Sequence, residues 1–101
     1  MNEPTYFIRP EAQEDLDNIF EYGMLNHHPD IANNYFSGFF DTFRMLTKNP
    51  YMGEKYDDDE LIRKFGYQKT HTIIYKIETK QIIIARIFHG RQKITEQFNY
   101  L

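Results

Sequence analysis

"THTIIYKIETKQIIIARIFH", residues 70–89, decides the fold. In its first half His71, Ile73, Tyr75 and Ile77 alternate with Thr72, Ile74, Lys76 and Glu78, the two-residue period of a half-buried strand. A turn at about Lys80 separates a strand over 70–79 from one over 81–89. Just upstream, "LIRKF" (61–65) joins the first of these through "GYQK". Links this short allow only antiparallel neighbours, so the C-terminal half is a three-stranded antiparallel meander.

Moving outward, "TYFIR" (5–9) is a short strand that ends at Pro10, a residue suited to the first turn of a helix. Ala12, Leu16, Ile19, Phe20 and Gly23 then share one face, with carboxylates crowding the first two turns where the helix dipole favours them. This predicts a helix over 10–26. "HHPD" interrupts it, and Pro29 opens a second helix over 29–48 whose stripe is Ala32, Tyr35, Phe36, Phe39, Phe43 and Leu46. Two amphipathic helices joined by so short a link form an antiparallel αα-hairpin. "FSGFF" (36–40) is expected to be a close-packing point between them. "NPYMGEKYDDDE" (49–60) is expected to be an acidic loop. The fold class is therefore α+β, in the order β-α-α-β-β-β, as one domain over 1–101. The tail from 91 places Ile94, Phe98 and Leu101 at i, i+4 and i+7, the pattern of a short helix or of a frayed terminus awaiting a partner. Ile73, Tyr75, Ile77, Ile83 and Ile87 are the expected sheet core.

Composition narrows the function classes. Aromatic residues make up 17% of 101 residues, and the chain has no cysteine, which excludes disulfides and thiolate chemistry. No apolar run approaches the roughly 18 residues of a membrane span, and the N-terminus lacks a secretory pattern, so a cytoplasmic protein is expected. Net charge is −3, but unevenly placed. Residues 1–60 carry four Lys/Arg against thirteen Asp/Glu; residues 61–94 carry eight Lys/Arg against Glu78 alone. That asymmetry implies one basic face, or acidic helices attracting basic strands across the fold.

Together these elements carry further detail. "A-x-x-D/E-L-x-x-I-x-x-Y" appears as Ala12, Asp15, Leu16, Ile19 and Tyr22, and "L-x-x-N-P-x-x-G" as Leu46, Asn49, Pro50 and Gly53. "LIRKF", "IIYKI" and "RIFHGR" follow in order. Over residues 5–94 the chain resembles the ParE branch of the RelE/ParE superfamily, the toxins of type II toxin–antitoxin systems. The resemblance implies a RelE/ParE-like fold, a cognate antitoxin as partner and, for ParE members, DNA gyrase as target. RelE members instead cleave mRNA on the ribosome, and fold alone does not separate the two.

A metal-independent ribonuclease needs cationic groups and an acid or base on one surface. Arg63, Arg86 and His89 would be its catalytic residues here. The basic–tyrosine ending of RelE-type enzymes has no counterpart close after Arg91, and the acidic balance forgoes counterion release on RNA. The reading from sequence is therefore a docking face and no catalytic centre. Its members are Arg63, Lys64, Tyr67, Arg86, His89, Arg91, Lys93 and Phe98. The resemblance places basic residues at positions 63 and 86, where they could meet across the sheet; the alternative is pairing with a helix carboxylate such as Asp15 or Glu14. No cofactor, metal, membrane or sequence-specific nucleic-acid contact is expected: His27, His28, His71 and His89 show no metal-ligand spacing, and "DDDE" (57–60) lacks the pattern of a cation loop.

Overall fold

The computed structural model describes residues 5–90. The elements are β1 (Thr5–Ile8), α1 (Pro10–Asn26), α2 (Pro29–Lys48), a single 3-10 turn (Pro50–Met52), β2 (Glu54–Tyr56), β3 (Asp59–Tyr67), β4 (His71–Ile77) and β5 (Gln81–His89). Both helices run over the residues expected. Pro10 and Pro29 each stand in the first turn, and His28 caps α2 by accepting the Asp30 N–H through Nδ1 at 3.1 Å. The tail 91–101 lies outside the described residues. Among them no helix is long and apolar enough to cross a membrane.

The sheet has five strands in the order β1-β5-β4-β3-β2, with β1 parallel to β5 and every other pair antiparallel. The meander thus has four strands, because the segment expected as an acidic loop folds into the sheet. Asp57 and Asp58 take φ of 54° and 65°, as the two central residues of a type I′ hairpin turn must. Aspartate tolerates that conformation well, so the turn pairs β2 with the start of β3. The β3–β4 turn is also tighter than "GYQK". Gln68 and Lys69 hold its centre at φ 54° and 61°, and the Thr70 N–H closes it on the Tyr67 carbonyl at 3.1 Å.

Both helices pack on one face. Leu16, Phe39, Phe43 and Leu46 meet Ile73, Tyr75, Ile82 and Ile84 in a core whose members are 0–2% exposed. Gly23 is where the helices approach: a Cβ there would lie 3.2 Å from that of Ala32. Gly38 of "FSGFF" has another role. It makes room for the Tyr67 ring, whose hydroxyl would sit 2.0 Å from an added Cβ.

A β-bulge separates the expected core from the observed one. Tyr75 pairs with Ile84, yet Ile74 pairs with Arg86, so Ala85 is the extra residue. Alternation resets at that point. Ile82, Ile84 and Ile87 face the helices, whereas Ile83, cross-strand from Lys76, is only partly buried on the other face. That second face carries a smaller cluster of Ile62, Ile74, Ala85 and Phe88, with Tyr56 against it.

Candidate functional site

Arg63 and Arg86 do not meet. Arg63 pairs with Tyr75 and so shares the helix-covered face; Arg86 pairs with Ile74 and shares the other. Each guanidinium is held within the fold. Arg63, only 8% exposed, donates from Nη1 to the Gly53 carbonyl (3.0 Å), from Nε to the Glu60 carbonyl (2.9 Å) and from Nη2 to the Glu60 carboxylate (3.0 Å). The Tyr51 ring lies 4.9 Å from its centre. Tyr75 fixes the same turn from within, donating to the Pro50 carbonyl at 2.6 Å and accepting the Gly53 N–H at 3.1 Å. Burial pushes the Tyr75 phenol pKa upward, so the hydroxyl stays a donor.

Arg86 forms a fork with Asp15 of α1, Nε to Oδ2 at 2.8 Å and Nη2 to Oδ1 at 3.0 Å, while its centre lies 4.7 Å from the Phe88 ring. Asp15 has a second task. The pairing of β1 with β5 stops at Ile84, where the Arg9 N–H meets the Ile84 carbonyl, so β5 continues beyond its neighbour. The next outward N–H, that of Ile87, donates to Asp15 Oδ2 at 2.9 Å. The carboxylate thus supplies the acceptor that a longer β1 would have provided. Of the two readings open for Arg86, pairing with a helix carboxylate is the one found.

The other expected docking residues separate. Tyr67 is buried, stacked on Phe39 at 4.1 Å, and donates to the Tyr35 carbonyl at 2.7 Å, so it forms part of the core and not of a free surface. Lys64 stands on the second face beside Ile74, 3.9 Å from Glu54 and half-exposed. His89 is the exposed last residue of β5. Arg91, Lys93 and Phe98 lie outside the described residues.

His89 has close company that sequence reasoning passed over. It pairs directly with His71 of β4, their ring centroids 5.6 Å apart. His71 Nδ1 shares a 2.7 Å hydrogen bond with the Tyr35 hydroxyl of α2, and the Phe39 ring packs at 5.9 Å. Burial, and then the charge of His89, lowers the His71 pKa from its ordinary value, favouring the neutral imidazole. Burial likewise raises the pKa of Tyr35. The one trace in the sequence was a hydroxyl-bearing ring, Tyr35, in a stripe otherwise made of phenylalanine and aliphatic residues.

The family model described as "ParE toxin of type II toxin-antitoxin system, parDE" matches residues 6–94. Among solved structures, the fold resembles the chromosomal ParDE toxin–antitoxin system from P. aeruginosa, with a TM-score of 0.71, 16% identity and coverage of 86% of this chain and 95% of that one. It also resembles the toxin–antitoxin complex RelBE2 from Mycobacterium tuberculosis (TM-score 0.61, 17% identity, 87% and 99% covered). A conserved hypothetical protein from Helicobacter pylori is more distant (TM-score 0.51, 14% identity, 88% and 97% covered). No curated protein matches at a significant level.

Proposed function

Because the chain belongs to the ParE toxin family of type II toxin–antitoxin systems, we propose that it inhibits DNA gyrase by docking, without chemistry of its own, and is neutralised in the cytoplasm by a cognate antitoxin. The observation that supports docking over catalysis is the placement of Arg63 and Arg86. A nuclease would use such cations to stabilise a phosphorane. Here they sit on opposite faces of the sheet, each held by intramolecular acceptors at 2.8–3.0 Å. Lys64, His89, and the expected members Arg91, Lys93 and Phe98, remain the candidates for contact with a partner. An antitoxin segment combining acidic and apolar residues, disordered alone, would gain both burial and charge pairing there.

One observation favours a second reading. Two imidazoles and a phenol gather at His71, His89 and Tyr35, an acid–base set that a RelE-like ribonuclease could use. The deciding experiment adds purified protein to gyrase in supercoiling and cleavage assays, with ribosome-bound mRNA cleavage in parallel. Inhibited supercoiling or accumulated cleaved DNA, with intact mRNA, is the expected result. Cleaved mRNA with unaffected gyrase would replace the docking reading with the ribonuclease one.

A further inference from the structure

We propose that His71 and His89 form a two-histidine binding site for a late first-row divalent ion such as Zn2+, Ni2+ or Cu2+. The two positions, eighteen residues apart in sequence, are direct cross-strand neighbours on β4 and β5. The adjoining pair, Thr70 and Gly90, is joined by a backbone hydrogen bond of 2.6 Å. In an antiparallel ladder the next pair is then of the non-hydrogen-bonded kind, in which side chains stand closest.

The ring separation suits a shared ion. With Zn–N bonds of about 2.0–2.1 Å and a tetrahedral angle, two ligating imidazole centroids lie roughly 5.2 Å apart. The observed separation is 5.6 Å, so little movement would bring both rings to one metal. Tyr35 occupies Nδ1 of His71 at 2.7 Å, which leaves Nε2 as the ligating atom and orients the ring as a hydrogen-bonded partner does in histidine metal sites. Packing against Phe39 holds the ring further. Among the described residues no group of three or more His, Cys, Asp or Glu is placed to hold a metal. The ion would accordingly keep open positions for water, or for a carboxylate from a chain docked at this end of the sheet. The softer imidazole pair selects late transition ions over Mg2+ or Ca2+.

The test is calorimetric titration of the chelator-treated full chain with ZnCl2 and with NiCl2, beside four variants. His89→Gln changes an exposed side chain and keeps the fold. It should weaken binding by at least about tenfold, and His71→Gln should do the same. Tyr35→Phe should weaken it by a smaller factor while one ion still binds. His27→Gln/His28→Gln controls for the adjacent pair at the helix link and should leave affinity unchanged. In parallel, Ni2+ should broaden the His71 and His89 ring resonances before those of His27 and His28. Wild-type affinity in His89→Gln, or affinity lost only with His27 and His28, would overturn the assignment, as would the absence of saturable binding.

Discussion

Two pairs of cation-capable residues sit on the same sheet and behave differently. Arg63 and Arg86, in the body of the sheet, are clamped by backbone carbonyls and by Glu60 and Asp15. His71 and His89, at the end of the sheet, lie side by side, and the Tyr35 hydroxyl ties His71 to α2. All four belong to the basic half of the sequence. The difference teaches that a run of cations reports charge, whereas availability depends on which acceptors the fold brings alongside.

The largest effect should come from breaking the Asp15–Arg86 clamp. Asp15→Ala leaves both a partly buried guanidinium and the Ile87 N–H without this acceptor, at a cost of about 3 kcal/mol. Arg86→Ala should cost somewhat less, and the double variant should show coupling of about 2 kcal/mol in urea denaturation. If Arg86→Ala left stability intact while antitoxin binding fell, the contrast between the two pairs would invert. Arg63→Met should follow at about 2 kcal/mol, since the Gly53 carbonyl and Glu60 lose their charged donor. Its unfolding midpoint should fall without a change in denaturant slope.

Much of this architecture was legible before the structure. Helix bounds and the strand–hairpin–meander order followed from apolar period and from prolines at fixed positions. What escaped depended on events without a periodic signal. The Ala85 bulge moved Ile83 off the core face, although plain alternation placed it there with Ile87. The Asp57–Asp58 turn drew an acidic segment into the sheet, because aspartate accepts positive φ. The pairing of His71 with His89 is a matter of register, and the parallel placement of β1 beside β5 is set by the crossover through both helices. Asp15 could be named as a partner for an arginine. Its role as the acceptor beyond the end of β1 required knowing where β1 stops.

A smaller effect should sharpen the histidine side of the comparison. The folded state lowers the His71 pKa below 6.5, mainly through burial and then through His89, so the unfolded chain binds that proton more readily. The neighbouring titratable groups are Tyr35 on α2, Tyr67 on β3, Lys69 in the turn and His89 on β5. The contribution of His71 is therefore complete above 6.5, declines as pH falls through that value, and levels off below the folded one. Urea midpoints measured at about pH 7.5 and about pH 5.5 should show this loss in the wild type and less of it in His71→Gln. Tyr35→Phe should cost about 1 kcal/mol at neutral pH by removing the partner of Nδ1. An unchanged pH slope in His71→Gln would place the sensitive group elsewhere.

The smallest effect separates the two tight turns. Both put consecutive non-glycine residues at positive φ, Asp57–Asp58 on the acidic side and Gln68–Lys69 beside the histidines. Aspartate tolerates that region through local hydrogen bonding, whereas glutamine and lysine pay the full steric cost, about 1–2 kcal/mol per residue. Lys69→Gly relieves the strain at one position but gives the unfolded chain more freedom, so the net gain should be about 0.5–1 kcal/mol. Asp58→Gly should be close to neutral by the same reasoning. Strain of this kind persists where surrounding structure or function demands it. If Lys69 contributes its charge to the docking face, Lys69→Gly should raise the unfolding midpoint and weaken antitoxin or gyrase binding together. Equal stabilisation from both glycine variants would remove the distinction, and would mean that register alone, with no functional demand, holds Gln68 and Lys69 in place.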